Sequence, residues 1–466
     1  MVAASRASRT LIVLALPALA LATTTFHRQW RWYTQNVGRS AAQLTDSEYI
    51  VSGGFQVSGN VFGVVLARTD SLGETTAVRS ILHLDNGGGF SCRLADGGYA
   101  LLAESAKKVL VRAYNSAGES TWAYRSTWGG PISAFIPTFD GGCLVAGRIP
   151  DTAHDMGVIK LAADGHEEWT RHYREPLTDF SWARGASQTR DSGYILCGDA
   201  NNYYSTNVRL ARLRPNGDSA WTRLYHGPVG PMLTDVREMQ DSGFLAVGYE
   251  FDTLTSLNAL YMLRTTSRGD TVWTRHLAPD RAASQASAMC ATSDGGFAIV
   301  GVIDWGDSAR AWLVKTDAQA DTTWTAVLPG SGRESGADIE QTLDGGYVIA
   351  GASDSAGISD SLLLIKTDSV GHVEVGIAEE QTAPGRRIGL TVRPNPASGV
   401  VKVEWSLPAR STASVSVYDI TGKQVYSAFG LRTTSFLLGL RSLPSGVYVV
   451  SLESDCGRAT RKLVID

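Results

Sequence analysis

Short apolar runs follow polar turns at a nearly constant interval along most of the chain. The segments are DSEYIVSG from Asp46, DGGYALLA from Asp96, DGGCLVAG from Asp140 and DSGYILCG from Asp191. DSGFLAVG from Asp241, DGGFAIVG from Asp294 and DGGYVIAG from Asp344 complete the set. Successive segments lie 50, 44, 51, 50, 53 and 50 residues apart. Each predicts a tight turn leading into a short apolar strand. Asp hydrogen-bonds forward to the backbone, and Gly supplies a positive φ that a side chain would resist.

A second landmark falls within the intervals. NSAGESTW, AADGHEEW, PNGDSAW and SRGDTVW place Gly118, Gly165, Gly217 and Gly269 four residues before Trp122, Trp169, Trp221 and Trp273. The sixth repeat keeps Trp324 but has Ala320 at the glycine position. The first and seventh keep the turn, at 69–73 and 366–371, without the Trp. Together the landmarks predict four strands per repeat, which in the sixth run over about 287–293, 297–302, 311–316 and 322–328. One such sheet cannot bury both faces alone, whereas sheets packed face to face around a ring share their cores. The expected fold is all-β: a seven-bladed β-propeller of four-stranded blades in a domain of residues 23–376, with the repeats running from 28 to about 376. The stretch QWRWYT from Gln29 resembles the Trp-bearing strands WTRHY and WTRLY, so it is expected to supply the outer strand of the seventh blade and close the ring.

The two termini read differently. Arg6 and Arg9 precede an apolar run over 11–22 that is too short to span a bilayer and ends in Ala20-Leu21-Ala22. That is the pattern of a secretory signal peptide, here residues 1–22. No later stretch is long and apolar enough to span a membrane. After Val375 the period breaks. A polar linker at 377–389 leads to strands at 400–405, 414–418, 446–452 and 463–465, which predict a small Ig-like β-sandwich over 390–466.

Composition narrows the function. With 43% hydrophobic and 19% charged residues in 466, the chain has material for a large core and too little charge for disorder. A net charge of −4 without Lys/Arg runs argues against a nucleic-acid partner. The five cysteines are widely spaced without CxxC, which excludes zinc ribbons and redox motifs and reads as buried free thiols. The eight histidines form neither HxxxH nor HExxH, and there is no GxSxG, P-loop or EF-hand loop. Each Asp-Gly-Gly turn offers a single carboxylate, whereas calcium takes about six to eight oxygens. Hence no catalytic residue, metal or cofactor is assigned.

If the propeller binds something, the connections decide where. The two kinds of repeated turn would form one uniform rim. The other connections differ between blades and would form the opposite face, where binding residues belong. The candidates there are Trp128, Trp182, Tyr203, Tyr204, Trp305 and Arg333.

Two resemblances add to this reading. The Gly-to-Trp spacing is similar to the tryptophan-docking repeat of quinoprotein-type propellers, which implies that Trp122, Trp169, Trp221, Trp273 and Trp324 pack between blades. The vicinal cysteine pair of those dehydrogenases does not occur, and the repeat as a whole is more similar to DGGY-type propeller repeats of secreted bacterial proteins. At the C-terminus four landmarks stand in order: Pro394-Asn395-Pro396, then Tyr418-Asp419 with Gly422-Lys423, then Gly446 and Tyr448, then a terminal strand containing Lys462. Residues 390–466 thereby resemble the type IX secretion C-terminal sorting domain (type A). That resemblance implies passage through the periplasm to the cell surface or medium, with the outer-membrane secretion machinery as partner. The expected protein is a monomeric, exported β-propeller that binds an unknown glycan or protein, as an adhesion module without catalysis. The alternative is an extracellular hydrolase or lyase acting on glycans or peptides at the variable face.

Overall fold

The computed structural model describes residues 25–30, 35–58, 61–84, 86–105, 108–127, 130–148, 155–174, 180–201, 207–226, 230–279, 281–330, 332–355, 358–373, 389–406, 413–419, 424–431, 435–440, 443–454 and 457–465. The expected signal peptide at 1–22 and nearly all of the linker lie outside them. Every regular element described is a β-strand. Seven four-stranded antiparallel sheets form the blades of the propeller. Their inner strands are Gln35–Thr45, Asn86–Arg93, Ile132–Pro137, Phe180–Gln188, Met232–Glu238, Ala283–Ala291 and Arg333–Gln341, in blades one to seven. The sixth blade runs outward through Phe297–Asp304, Ala309–Thr316 and Thr322–Val327, close to the expected spans.

The seventh blade closes the ring with both ends of the repeat region. Its outer strand is Phe26–Trp30, antiparallel to Ile358–Thr367. The clasp is as expected, but its register is four residues earlier. Phe26, not Trp30, stands opposite Lys366, the position Trp169 takes opposite Lys160 and Trp324 opposite Lys315. FHRQW repeats the alternation of WTRHY, with Arg28 for Arg171 and Trp30 for Tyr173. Either register would have set aromatics two or four apart on one face; this one buries Phe26 to 3% and Trp30 to 2% exposure.

The tryptophans do pack between blades. A Cβ added to Gly217, Gly269 or Gly371 would lie 2.9 Å from the ring of Trp169, Trp221 or Trp324 on the preceding blade. The same glycines hold φ of 80–83°, so this turn requires glycine twice over, for its backbone and for the ring above it. Trp122 covers Gly165 in the same way. Ala320 keeps the conformation at φ 62° and is fully buried in one core cluster with Trp273. Where the Trp is missing, Phe26 covers Gly73 and Arg79 covers Gly118, so the docking continues around all seven junctions.

The turn aspartates have partners that the repeat pattern did not disclose. On the third strand, directly across from the Trp position, stand Arg68, Lys160, Arg212, Arg264, Lys315 and Lys366. Lys160, Lys315 and Lys366 are buried and pair at 2.8 Å with Asp140, Asp294 and Asp344. Arg212 and Arg264 pair with Asp191 and Asp241, and Arg68 with Glu48. A buried ammonium costs several kcal/mol, on the order of the Coulombic gain, unless its protons are all accepted. Here the strand-end carbonyls of Leu161, Thr316 and Thr367 also accept them. Each Asp in turn accepts the amide of the glycine two residues on, such as Gly142, Gly193 and Gly296, as the turn chemistry predicts.

A further stitch joins the turns around the rim. Gln43, Gln188, Glu238 and Gln341 each accept a turn amide of the preceding blade, from Leu343, Phe139, Arg190 and Ser293, at 2.6–2.8 Å. Cys92, Cys143, Cys197 and Cys290 are free thiols; burial pushes the Cys143 and Cys290 thiols up to about 12.

The C-terminal strands form a small β-sandwich. One sheet holds Gly389–Arg393, Val400–Ser406 and Ser435–Gly439. The other holds Gln424–Leu431, Ala413–Asp419, Gly446–Ser454 and Gly457–Ile465. Leu390, Val401, Val403, Trp405, Val415, Val417, Val450, Leu452 and Leu463 fill the core between them. Three strands were not anticipated: 389–393, 424–431 and 435–439.

Candidate ligand-binding channel

The inner strands surround a central channel whose cavity measures about 630 Å³. Six of the seven strands reach it through a β-bulge at the same place. Pairing with the second strand skips one residue between Gly38 and Ser40, Ile132 and Ala134, Ala183 and Gly185, Leu233 and Asp235, Ala286 and Ala288, and Gly336 and Asp338. The residue before each skip pairs with the glycine ending the DGGY-type segment, such as Gly198 or Gly301, where a Cβ would collide with an inner-strand carbonyl. A bulge leaves one residue unpaired and re-aims its side chain. The residues so placed are Arg39, Ser133, Arg184, Thr234, Ser287 and Ala337, and all six line the cavity.

Below this ring stand acids, and the next blade holds them. Asp235 accepts the Met289 amide at 2.9 Å and the Val236 amide at 2.8 Å, and is paired with Arg237. Asp338 accepts the Ala41 amide at 3.1 Å. Glu340 accepts the backbone of Gln43. Burial pushes Asp338 up to about 6 and, with the charge of Asp338, Glu340 up to about 7. Burial likewise raises Asp235, against the pull of Arg237. Toward the variable face, Arg184 lies 4.0 Å from the centre of the Trp182 ring and pairs with Asp199 at 2.7 Å. Arg148 stands 5.2 Å from the same ring.

The expected ligand-face residues divide accordingly. Trp182 lines the channel, with two guanidinium groups against its ring. Trp305 and Arg333 sit together at the junction of blades six and seven, outside the channel wall. Arg333 pairs with Asp304 at 2.6 Å and donates to the Gly306 carbonyl at 2.5 Å, and Trp305 beside them is 42% exposed. Trp128, Tyr203 and Tyr204 lie outside the described residues. Arg39 and Arg184 were not anticipated, although a signal existed. Each bulged residue stands seven positions before the aspartate that opens its turn: Arg39 before Asp46, Ser133 before Asp140, Arg184 before Asp191. Among the described residues no helix could cross a membrane and no cluster of three or more His, Cys, Asp or Glu could hold a metal ion.

In the sandwich, Asn395 accepts the Val464 amide at 2.8 Å and donates to the Lys462 carbonyl at 2.6 Å, binding the first landmark to the last strand. The Tyr448 hydroxyl donates to the Pro444 carbonyl at 2.7 Å. Gly422 and Lys423 lie outside the described residues.

No curated protein matches the chain. Among solved structures it is similar to the β-propeller domain of the Trilobed protease from Pyrococcus furiosus, at TM-score 0.45 and 8% identity, over 73% of this chain and 97% of that one. It is similar to YCF48 bound to D1 peptide at TM-score 0.42 and 10% identity, over 76% and 100%. A protein of unknown function from Bacteroides caccae matches at TM-score 0.42 and 14% identity, over 59% and 92%. Residues 391–466 match the secretion system C-terminal sorting domain, the type IX sorting tail, and so mark the protein as secreted or cell-surface.

Proposed function

We propose that the propeller is the exported cargo and serves as a binding or adhesion module without catalysis, taking a glycan or protein ligand at its variable face. One observation carries this reading: the channel acids Asp235 and Asp338 are tied to backbone amides of the next blade, whereas Arg39, Ser133 and Ser287 line the cavity. Asp235 and Asp338 cap amides of the next blade, a structural use of carboxylates. Trp305 belongs to a connection that differs from blade to blade, and Trp182 and Arg333 stand near the start of their inner strands beside such connections, where recognition is tolerated without loss of fold. The test is an array of glycans and peptides probed with the mature protein, with Trp182→Ala and Trp305→Ala alongside. Retention that weakens in either variant, with the bound molecules unaltered, supports binding; equal retention in both sinks these residues as the ligand face.

The second reading, a hydrolase or lyase, rests on Asp338 and Glu340, whose raised proton affinities would suit proton transfer near neutral pH. Cleaved products on the array, lost in Glu340→Gln, would favour it. We further propose the division into a propeller of residues 23–376, a linker of 377–389 and a tail of 390–466 that takes no part in the propeller's activity. A chain truncated after residue 376 should fold and stay in the periplasm, while 390–466 fused to an unrelated exported protein should carry it outward. Export of the truncated chain at the full-length level would contradict this.

A further inference from the structure

We propose that the channel is an oxyanion site, in which Arg39 receives a carboxylate or phosphate group of a ligand entering from the variable face. The inference rests on the binding reading and names the chemistry it would serve.

Arg39 occupies the bulge of the first blade's inner strand and lines the cavity with Ser133, Arg184 and Ser287. Its guanidinium has no hydrogen-bond or ion-pair partner among the described residues, unlike the other arginines of the wall. Arg184 is paired with Asp199, and Arg237 with Asp235. Glu104 lies near enough to act on Arg39 through its charge, but accepts the Ile132 amide at 2.8 Å. Arg39 is exposed to the channel, yet the surrounding protein desolvates it and pulls its proton affinity below the ordinary arginine value. Glu104 is therefore a counter-charge that makes no hydrogen bond to Arg39, and a planar oxyanion supplies what the guanidinium lacks through paired charge-assisted hydrogen bonds.

The ring around Arg39 favours the same ligand. Its bulged positions carry Arg39, Ser133, Arg184, Thr234, Ser287 and Ala337, with Gly89 at the matching sequence offset in blade two, and none is a carboxylate. Ser133 and Ser287 present hydroxyls at that level, whereas the Thr234 hydroxyl donates to the Val247 and Ala286 carbonyls. The acids lie one step deeper, with backbone amides against them. A cavity of about 630 Å³ exceeds a bare ion and admits a ligand of one or two sugar rings.

Calorimetric titration of the mature protein tests the proposal, with inorganic phosphate, D-glucuronate and neutral glucose as probes. Saturable binding of an oxyanion, without binding of glucose, is expected. Arg39→Ala should weaken it by about tenfold or more, and Arg39→Lys should retain part of it. Phosphate alone binding would assign the site to phosphorylated ligands; glucuronate alone would assign it to carboxylate-bearing ones. Ser133→Ala should weaken binding by a smaller factor, which guards against misfolding of the Arg39 variant as the cause. Heats without saturation for both anions, or equal affinity in wild type and Arg39→Ala, would overturn the proposal. A ligand from the array whose retention survives Arg39→Ala would leave the binding reading standing and remove the oxyanion site alone.

Discussion

The turn rim and the bulge ring both run around one propeller, and they use repetition in opposite ways. At the rim the chemistry recurs from blade to blade. An aspartate caps its own turn, a buried Lys or Arg pairs with it, and an aromatic ring covers the next blade's turn glycine. Substitutions there keep the role: Phe26 for Trp, Ala320 for Gly, Glu48 for the turn aspartate. At the bulges only the backbone recurs. The side chains range from Ala337 to Arg39, and what each does depends on its blade. Recurring side chains therefore mark what holds the ring, and recurring backbone with differing side chains marks where it can specialise.

The largest expected effect comes from opening the clasp. Deleting residues 26–30 removes an edge strand and two buried aromatics, Phe26 and Trp30. Each buried aromatic contributes about 3–5 kcal/mol, so the melting temperature should fall by about 10 °C or more. A change within error would mean that the ring holds without its seventh outer strand. Next comes Trp221→Ala, which uncovers Gly269 and the edge of Phe244, 5.8 Å away between ring centres. A loss of about 3 kcal/mol in chemical denaturation is expected because the ring is half-buried. Unchanged stability would contradict the docking role.

Acid titration should give a smaller effect, with a sign for each region. Asp140, Asp191, Asp294 and Asp344 are held below the ordinary carboxylate value, Asp294 at about 2, by Lys or Arg, Thr and turn-amide hydrogen bonds that outweigh burial. Their folded-state affinity for protons is depressed, so their stabilisation is present above the unfolded value of about 4 and lost as pH falls toward 2. Asp338 and Glu340 are raised to about 6 and about 7, so their contribution is present below about 4 and lost as pH rises through those values. Melting temperature should therefore peak near pH 5. Asp294→Asn should flatten the acid limb and Glu340→Gln the limb above pH 5; a melting curve whose slopes are untouched by both would refute the assignment.

Much of the rim was legible because a turn needs particular residues at fixed offsets, and seven copies repeat them. The clasp was legible as an aromatic strand, but its register was not. Aromatics at Phe26, Trp30 and Trp32 satisfy more than one alternation, and pairing with 358–367 decides between them. The Lys and Arg partners of the turn aspartates were present in strings such as VIKL and LLIK, but a charge inside an apolar strand gains meaning only when its cross-strand neighbour is known. The bulges escaped for the same reason, since a skipped pairing is a property of two strands and not of either alone. In the sandwich, 424–431 and 435–439 carry many half-exposed or polar positions and give a weak apolar signal, whereas the sorting landmarks stood out through Pro394, Tyr418 and Gly446.

The contrast between rim and channel is tested most directly by giving blade one the bulge residue of blades three and six. Arg39→Ser should melt with the wild-type protein while its calorimetric titration with phosphate and D-glucuronate loses the saturable phase. Melting lowered as far as in Trp221→Ala, or an oxyanion affinity equal to wild type, would contradict the account.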